Sequence, residues 1–142
     1  MERSLLDTDT FSEVLKGRHV SICRMADAYL SVFGRFTLCV TTVTELIDGF
    51  RRKRRDSEIV RLLSKLETEA HEILVVDLAA ANIAGHIFGD LHRVGKPIGR
   101  SDPFIAAIAL RDEIPLVSGN REHFERIVAL GYPLRLENWH GN

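Results

Sequence analysis

The sequence predicts an α/β fold in which helices cover both faces of a short, mostly parallel sheet, giving three layers. Two observations predict this arrangement. Several short apolar runs show little alternation with polar residues, which is typical of strands buried on both faces, and longer helical segments separate these runs. The length of 142 residues and the absence of repeats or Pro/Gly-rich linkers favour a single domain over 1–142.

The first half of the chain contains two predicted strands and three helical segments. A short buried strand over 4–6 is followed by a helical stretch from about 12 to 34, interrupted near Gly17. The β-branched run over 37–43 predicts a second strand, and 44–52 a helix. Over 57–70 the apolar residues recur at i, i+3, i+4 and i+7, which predicts a helix with one buried stripe formed by Ile59, Leu62, Leu63 and Leu66.

The second half continues the alternation of strand and helix. A continuous apolar strand over 73–76 ends at Asp77, which would cap a helix reaching about 94. A further helix begins at Asp102, a strand covers 116–117, a short helix covers 121–129, and a last strand covers 134–136. Ligands of such parallel sheets bind at the carboxyl ends of the strands.

Composition limits the classes of function. The net charge of -1 excludes a surface that is strongly basic overall. Any contact with nucleic acid would therefore depend on a local basic patch. Cys23 and Cys39 lack metal-ligand spacing and are expected to be free thiols in a reducing compartment. No apolar stretch approaches the roughly 18 residues of a membrane span, and a cytoplasmic protein is expected.

Three acidic residues lie where strands end or helices begin: Asp7, Glu45 and Asp102. Asn120 follows the predicted strand over 116–117. Parallel neighbouring strands would bring these side chains to one edge of the sheet. Two carboxylates about 5 Å apart repel by roughly 3 kcal/mol at an effective dielectric constant of about 20, so three of them would protonate, separate or bind a cation. An all-oxygen set suits Mg²⁺ or Mn²⁺, which can activate a water for attack on a phosphodiester.

Each of these residues also has a purely structural interpretation. Asp7 fits a turn, and Glu45 fits a capping box with Thr42. Asp102 before Pro103 fits a helix N-cap, and Asn120 fits the cap of the helix over 121–129. Only their joint placement favours a site.

The segments around these residues, in their order and spacing, resemble the PIN-domain ribonucleases, and in particular the VapC toxin branch. The resemblance runs from about 4 to 139 and includes Leu5-Leu6-Asp7-Thr8-Asp9-Thr10, Thr42-Val43-Thr44-Glu45-Leu46, Ile98 to Ala107, Leu116-Val117-Ser118-Gly119-Asn120 and Leu136-Glu137-Asn138-Trp139. It implies a PIN-like α/β/α fold, a homodimer, RNA cleavage with Mg²⁺ or Mn²⁺, and a VapB-type antitoxin as partner.

The resemblance also implies roles for individual residues. Asp7, Glu45 and Asp102 match the metal-binding acids, and Asn120 matches the fourth position of the site. Ser118 stands where the family commonly has Thr, and its hydroxyl would bond to Asp7. Asp9 lies two residues after Asp7 and would either support the metal-binding acids from behind or bond to the backbone of its own turn; many relatives have Asn at its position.

The basic run over 51–55 has three possible roles: a solvated tip between helices, a phosphate contact, or a contact with an acidic partner. The candidate RNA-binding residues are Arg51, Arg52, Arg54 and, near Asp102, Arg100. The histidines at 71, 86, 92 and 123 show no ligand spacing and are expected to be surface or packing residues.

Two other functions fit parts of the sequence. Asp7-Thr8-Asp9-Thr10 matches the nucleophile motif of haloacid-dehalogenase-type phosphatases, in which the first Asp is phosphorylated. A binding module with a degenerate site is the non-enzymatic alternative.

Overall fold

A parallel sheet forms the centre of the computed structural model, which describes residues 1–141. Its strands are β1 (Leu5–Leu6), β2 (Thr37–Cys39), β3 (Glu72–Leu74), β4 (Leu116–Val117) and β5 (Leu136–Glu137), in the spatial order β3-β2-β1-β4-β5. All of the pairings are parallel. The predicted α/β architecture is confirmed.

Seven helices in residues 1–141 connect these strands. They are α1 (Thr8–Lys16), α2 (Val20–Phe33), α3 (Val40–Arg52), α4 (Asp56–Thr68), α5 (Leu78–Arg93), α6 (Asp102–Asp112) and α7 (Arg121–Ala129). Because successive strand residues point to opposite faces, Leu5 and Leu6 enter different cores. Leu5 packs with residues of α5, α6 and α7, whereas Leu6 packs with residues of α1 to α4. Both faces of the sheet are therefore covered, which gives the three layers.

The order of the strands creates a crevice at the carboxyl edge of the sheet. β1 lies in the centre, with β2 on one side and β4 on the other. The chain extends from β1 through β2 to β3, and then returns to place β4 and β5 on the opposite side. Loops and helices leaving neighbouring strands diverge at such a reversal, which is where α/β sheets bind ligands.

Two predicted boundaries in the first half were wrong. The first helix begins at Thr8 instead of about 12, because Asp7 caps it: Asp7 Oδ1 accepts a hydrogen bond of 2.8 Å from the Thr10 amide. The second strand ends at Cys39, and the β-branched residues over 40–43 form the first turn of α3. Tertiary contacts override their strand propensity, since Thr42 is fully buried and its hydroxyl lies 3.2 Å from that of Thr8.

Smaller differences have similar causes. Leu62 and Leu66 of α4 are buried as predicted, but Leu63 is 44% exposed, so the buried stripe is narrower than its spacing suggests. β3 covers 72–74 instead of 73–76, and β5 covers 136–137 instead of 134–136, since their pairing with β2 and β4 fixes these ends. Asp77 caps α5 as predicted, accepting from the Ala80 amide.

Other expectations about single residues can be compared directly. Both cysteines are free thiols, as predicted. His71 is a packing residue: its Nδ1 accepts from the Phe36 amide and its Nε2 faces Glu69. None of the helices in residues 1–141 combines the length and hydropathy that crossing a bilayer requires.

Candidate active site

The predicted site residues line one pocket at the carboxyl edge of the sheet. Its walls are formed by Asp7, Thr8, Asp9, Glu45, Asp48, Gly99, Arg100, Ser101, Asp102 and Asn120. The acids come from segments far apart in the sequence, and the fold brings them together as the sequence predicted.

Asp7 has a structural role and remains available to a ligand. It is 3% exposed at the end of β1, where its backbone amide bonds to the Val117 carbonyl of β4. Oδ1 caps α1, and Oδ2 accepts from the hydroxyl of Ser118, as the resemblance implied. Each carboxylate oxygen has two acceptor positions, so these bonds orient the group without using all of them.

Glu45 does not cap a helix, and the capping-box interpretation is wrong. It is the sixth residue of α3, so its side chain does not face the free amides of the first turn. Instead, its Oε1 accepts a hydrogen bond of 2.6 Å from the Thr8 hydroxyl. This bond ties the start of α1 to α3 and holds the Glu45 carboxylate at the pocket.

Asp102 is also not a side-chain cap. It is the first residue of α6, with Ser101 at the N-cap position and no capping bond from either side chain. Its Oδ2 lies 2.9 Å from Nδ1 of His123 on α7. Because a carboxylate can only accept, the proton of His123 belongs on Nδ1 in this geometry. One face of Asp102 is open to the pocket, beside Gly99.

Asn120 occupies the N-cap position of α7, but its side chain caps nothing. Its amide group lies 3.0 Å from Nδ1 of His123, and its backbone amide donates to Ser118 Oγ. Ser118 therefore links Asn120 to Asp7, and His123 lies between Asn120 and Asp102, with its Nδ1–H donating to Asp102. The four positions that the resemblance singled out therefore line one pocket, in which Ser118 joins Asp7 to Asn120, His123 holds Asp102 and Thr8 holds Glu45.

Burial and mutual repulsion oppose ionisation of the acids. Burial is the main cause that raises the pKa of Asp7, Glu45 and Asp102 above their ordinary values. Hydrogen bonds from Ser118, Thr8 and His123 respectively act in the opposite direction. The negative charge of Asp9 contributes to raising all three pKa values, and Asp7 and Asp102 also raise that of Glu45.

The sequence did not identify three contributors to the site: Thr8, Asp48 and His123. Thr8 and His123 hold two of the acids, and Asp48 lines the pocket while pairing with Arg52 at 3.0 Å. His123 was expected to be a surface or packing residue, and this was wrong. The feature of the sequence that could have identified His123 as a site residue is its position three residues after Asn120, which puts both on one side of α7.

The candidate RNA-binding arginines separate into different environments. Arg51 pairs with Asp56 and Arg52 with Asp48, so both are engaged by local acids at the end of α3. Arg54 lies in the turn between α3 and α4 with a positive φ of 55°. Arg100 lines the active-site pocket. Of the four, it is the one that lies beside the acids.

His123→Ala is expected to lower RNA cleavage by about 10- to 100-fold, as is typical when a group that orients a metal-binding side chain is lost. The variant should also need more divalent cation for half-maximal activity, because Asp102 would lose the donor that orients it. Titrating Mn²⁺ against the cleavage rate measures both effects.

His123→Asn provides the control, because its amide N–H lies close to the position of the imidazole Nδ1–H. It should recover most of the activity. An unchanged cation requirement in His123→Ala would contradict the positioning role, even if the rate fell through general destabilisation.

Comparison with known proteins agrees with this geometry. The sequence profile of the PIN domain matches residues 4–130. Ribonuclease VapC2 of Haemophilus influenzae is 30% identical over 141 residues, covering 98% of this chain and 99% of the relative. The tRNA(fMet)-specific endonuclease VapC of Shigella flexneri is 27% identical over 139 residues, with the same coverage. The crystal structure of DNA-bound VapBC from Salmonella typhimurium superposes with a TM-score of 0.78 at 28% identity, covering 98% of this chain and 99% of that one.

A parallel α/β/α sandwich with acids at the carboxyl edge of its sheet is compatible with a nuclease domain, and the chain belongs to the PIN-domain family. Within that family it is a nuclease of the VapC ribonuclease kind, a hydrolase. This membership does not favour the phosphatase interpretation of Asp7-Thr8-Asp9-Thr10 or the non-catalytic alternative.

Proposed function

We propose that the chain is a Mg²⁺- or Mn²⁺-dependent endoribonuclease, the toxin of a type II toxin–antitoxin pair acting in the cytoplasm. The observation that carries the metal dependence is the convergence of Asp7, Glu45 and Asp102 in one pocket with raised pKa values. Carboxylates held in one pocket are most stable in their ionised form when a bound cation neutralises part of their negative charge.

The donor set fits a hard divalent ion. Asp7, Glu45 and Asp102 supply only oxygen, which suits Mg²⁺ and Mn²⁺ and disfavours zinc or copper. Among residues 1–141 no three His, Cys, Asp or Glu side chains form a ready-made metal cage. A site in which the acids do not enclose the ion is compatible with Mg²⁺, which keeps several waters and is typically held by one or two carboxylates together with substrate phosphate.

The residues of the site would have different roles in hydrolysis. Asp7, Glu45 and Asp102 would hold one or two cations, while Ser118, Thr8 and His123 fix the orientation of these acids. When bound, the cation supplies Lewis-acid stabilisation of the phosphate oxygens and makes an attacking water more acidic. Asn120 would orient water or Asp102 through its amide. Asp9, exposed at the pocket, adds negative charge that favours cation binding.

The partner follows from the relatives. Solved structures similar to this chain include toxin–antitoxin complexes such as VapBC-1 of nontypeable Haemophilus influenzae, at 25% identity and a TM-score of 0.75. We infer that the partner of this chain is a VapB-type antitoxin, which would inhibit it by covering the pocket. Assembly as a homodimer stays a prediction from the family.

Removing the cation tests the proposal. Purified protein treated with EDTA should lose cleavage of a total tRNA preparation, and adding Mg²⁺ or Mn²⁺ should restore it. Cleavage that persists in EDTA would contradict metal dependence. Release of phosphate from p-nitrophenyl phosphate without RNA cleavage would instead favour the phosphatase alternative.

A further inference from the structure

A second groove leads away from the acids, between α1 and α3, to the start of α4. Thr8, Asp9 and Glu45 line the end that it shares with the active-site pocket. Lys16, Arg18, Lys53 and Arg55 line the other end, where Glu58 is the one acid that residues 1–141 contribute to the lining. The groove therefore changes from acidic to basic along its length.

Helical periodicity creates this change of charge. Thr8, Ser12 and Lys16 follow one another at intervals of four residues on α1, and Glu45 and Gly49 do so on α3, with Lys53 four residues further at its C-cap. Residues at this spacing lie on one face of a helix. Eight residues of helix span about 12 Å, so each lysine lies roughly that far along the groove from the acids.

Two of the cations in the groove are free to bind a ligand. Arg18 and Lys53 have no carboxylate within ion-pair distance among residues 1–141. Arg55 has only a long contact of 4.0 Å with Glu58, and its guanidinium carbon lies 6.0 Å from the centre of the Phe50 ring. Arg51 and Arg52 differ, because they pair with Asp56 and Asp48 and do not line the groove.

The middle of the groove is uncharged and open. A Cβ atom added at Gly49 would meet no heavy atom within 4 Å. Ser12 on the facing helix is small and half-buried. The groove surface at Gly49 is therefore open to a bound chain on the way from the acids to the cations.

We propose that this groove binds the single-stranded RNA segment next to the scissile phosphate, with its phosphates on Arg18, Lys53 and Arg55. This inference rests on the proposed function, because it takes the scissile phosphate to lie at Asp7, Glu45 and Asp102. The neighbouring phosphates are repelled by these acids and by Asp9. The cations at the far end of the groove, of which Lys53 lies about 12 Å from Glu45, compensate that repulsion and set the direction of the strand.

The salt dependence of binding tests the contacts. We would measure the affinity of the full chain for a fluorescein-labelled, single-stranded 12-nucleotide RNA by anisotropy, in EDTA so that the probe stays intact. Loss of two phosphate contacts lowers the slope of log affinity against log salt by about 1.4. Lys53→Gln combined with Arg55→Gln should show this change. Arg51→Gln combined with Arg52→Gln removes the same charge from the same region outside the groove and should leave the slope as in the wild type.

Equal slopes in the wild type and the Lys53→Gln/Arg55→Gln variant would overturn the proposal and leave the groove to a protein partner. An equal loss in both double variants would also overturn it, since it would indicate diffuse attraction to the whole basic segment. Failure of the proposed function is distinguishable: RNA would then bind with a groove-dependent slope but would not be cleaved when Mg²⁺ is added.

A steric variant tests the path of the strand. Gly49→Leu adds a side chain in the open middle of the groove and keeps the carboxylates. We expect at least a tenfold lower kcat/KM on the 12-nucleotide RNA, mainly through KM. Gly85→Leu is the matched control and should cleave like the wild type, because Gly85 is an exposed residue of α5 outside the groove, where an added Cβ also meets no heavy atom within 4 Å. Wild-type cleavage by Gly49→Leu, with its helical circular dichroism unchanged, would overturn the proposed path.

Discussion

Asp7→Asn is expected to abolish RNA cleavage, with a loss of at least about 1,000-fold, while the protein stays folded. The size of the loss reflects the several kcal/mol of transition-state stabilisation that a divalent ion provides, where about 4 kcal/mol corresponds to roughly 1,000-fold. Asp7 lies at the centre of the site, between the ends of β1 and β4. An amide there is a weaker cation ligand and leaves one negative charge fewer in the pocket.

The fold should survive because the substituted side chain can keep the structural bonds of Asp7. The amide oxygen can still accept from the Thr10 amide and cap α1. The new N–H₂ group would face Ser118 Oγ, and that hydroxyl can accept as well as donate. Loss of a buried charge whose ionisation is opposed by burial also favours the folded state.

The measurement is the rate of RNA cleavage in Mg²⁺, together with thermal unfolding of the same samples. Asp27→Asn is the matched control, since Asp27 is an exposed residue of α2 outside the pocket. It should keep the wild-type rate. Full activity in Asp7→Asn would remove the basis for the site, and loss of activity accompanied by unfolding would attribute the effect to the helix cap alone.

The sequence was sufficient to predict the positions of the acids because local order determines them. Asp7 directly follows a fully apolar strand, and Asp102 directly precedes a helix that begins with proline. A parallel sheet places the ends of its strands at one edge, so convergence required only the correct fold class. The sequence was less decisive for Glu45, because the strand was extended through 43 and this left a capping role as an alternative to the predicted site role.

The partners of the acids could not be predicted, since they depend on how separate helices pack. Thr8 meets Glu45 only because α1 crosses beside α3, and His123 meets Asp102 because α7 lies beside α6. Single-sequence patterns describe one helix at a time and contain no measure of these distances. The same reason explains why the basic run over 51–55 could not be divided into ion-paired and groove-facing residues before the packing was known.

The stability of the protein without a cation is expected to fall as the pH rises, because the pKa values of Asp7, Glu45 and Asp102 are raised in the folded state. Each folded pKa lies above the value in the unfolded chain, so the unfolded chain releases these protons first. The stabilisation is complete below the unfolded pKa values and is lost as the pH rises through the folded ones. As the pH rises, the apo protein therefore bears a growing penalty for ionising these carboxylates.

Mn²⁺ or Mg²⁺ should reverse that penalty, and this is the second large effect that we expect. A cation that binds only the folded state at a hundred times its Kd stabilises by about 2.7 kcal/mol. For a domain of this size the corresponding rise in Tm is several degrees. Thermal unfolding at neutral pH in EDTA and in Mn²⁺ measures it, and the rise should shrink at acidic pH, where protons compete for the same carboxylates.

Asp102→Asn distinguishes a cation bound at this site from one bound elsewhere. Its Tm in EDTA should exceed that of the wild type, because one opposed charge is gone, and its rise with Mn²⁺ should be largely lost. The two changes have opposite signs and a common cause, which general destabilisation by a substitution cannot reproduce. An equal rise with Mn²⁺ in Asp102→Asn and the wild type would place the cation outside the pocket, and the carboxylates would then need another explanation for their convergence.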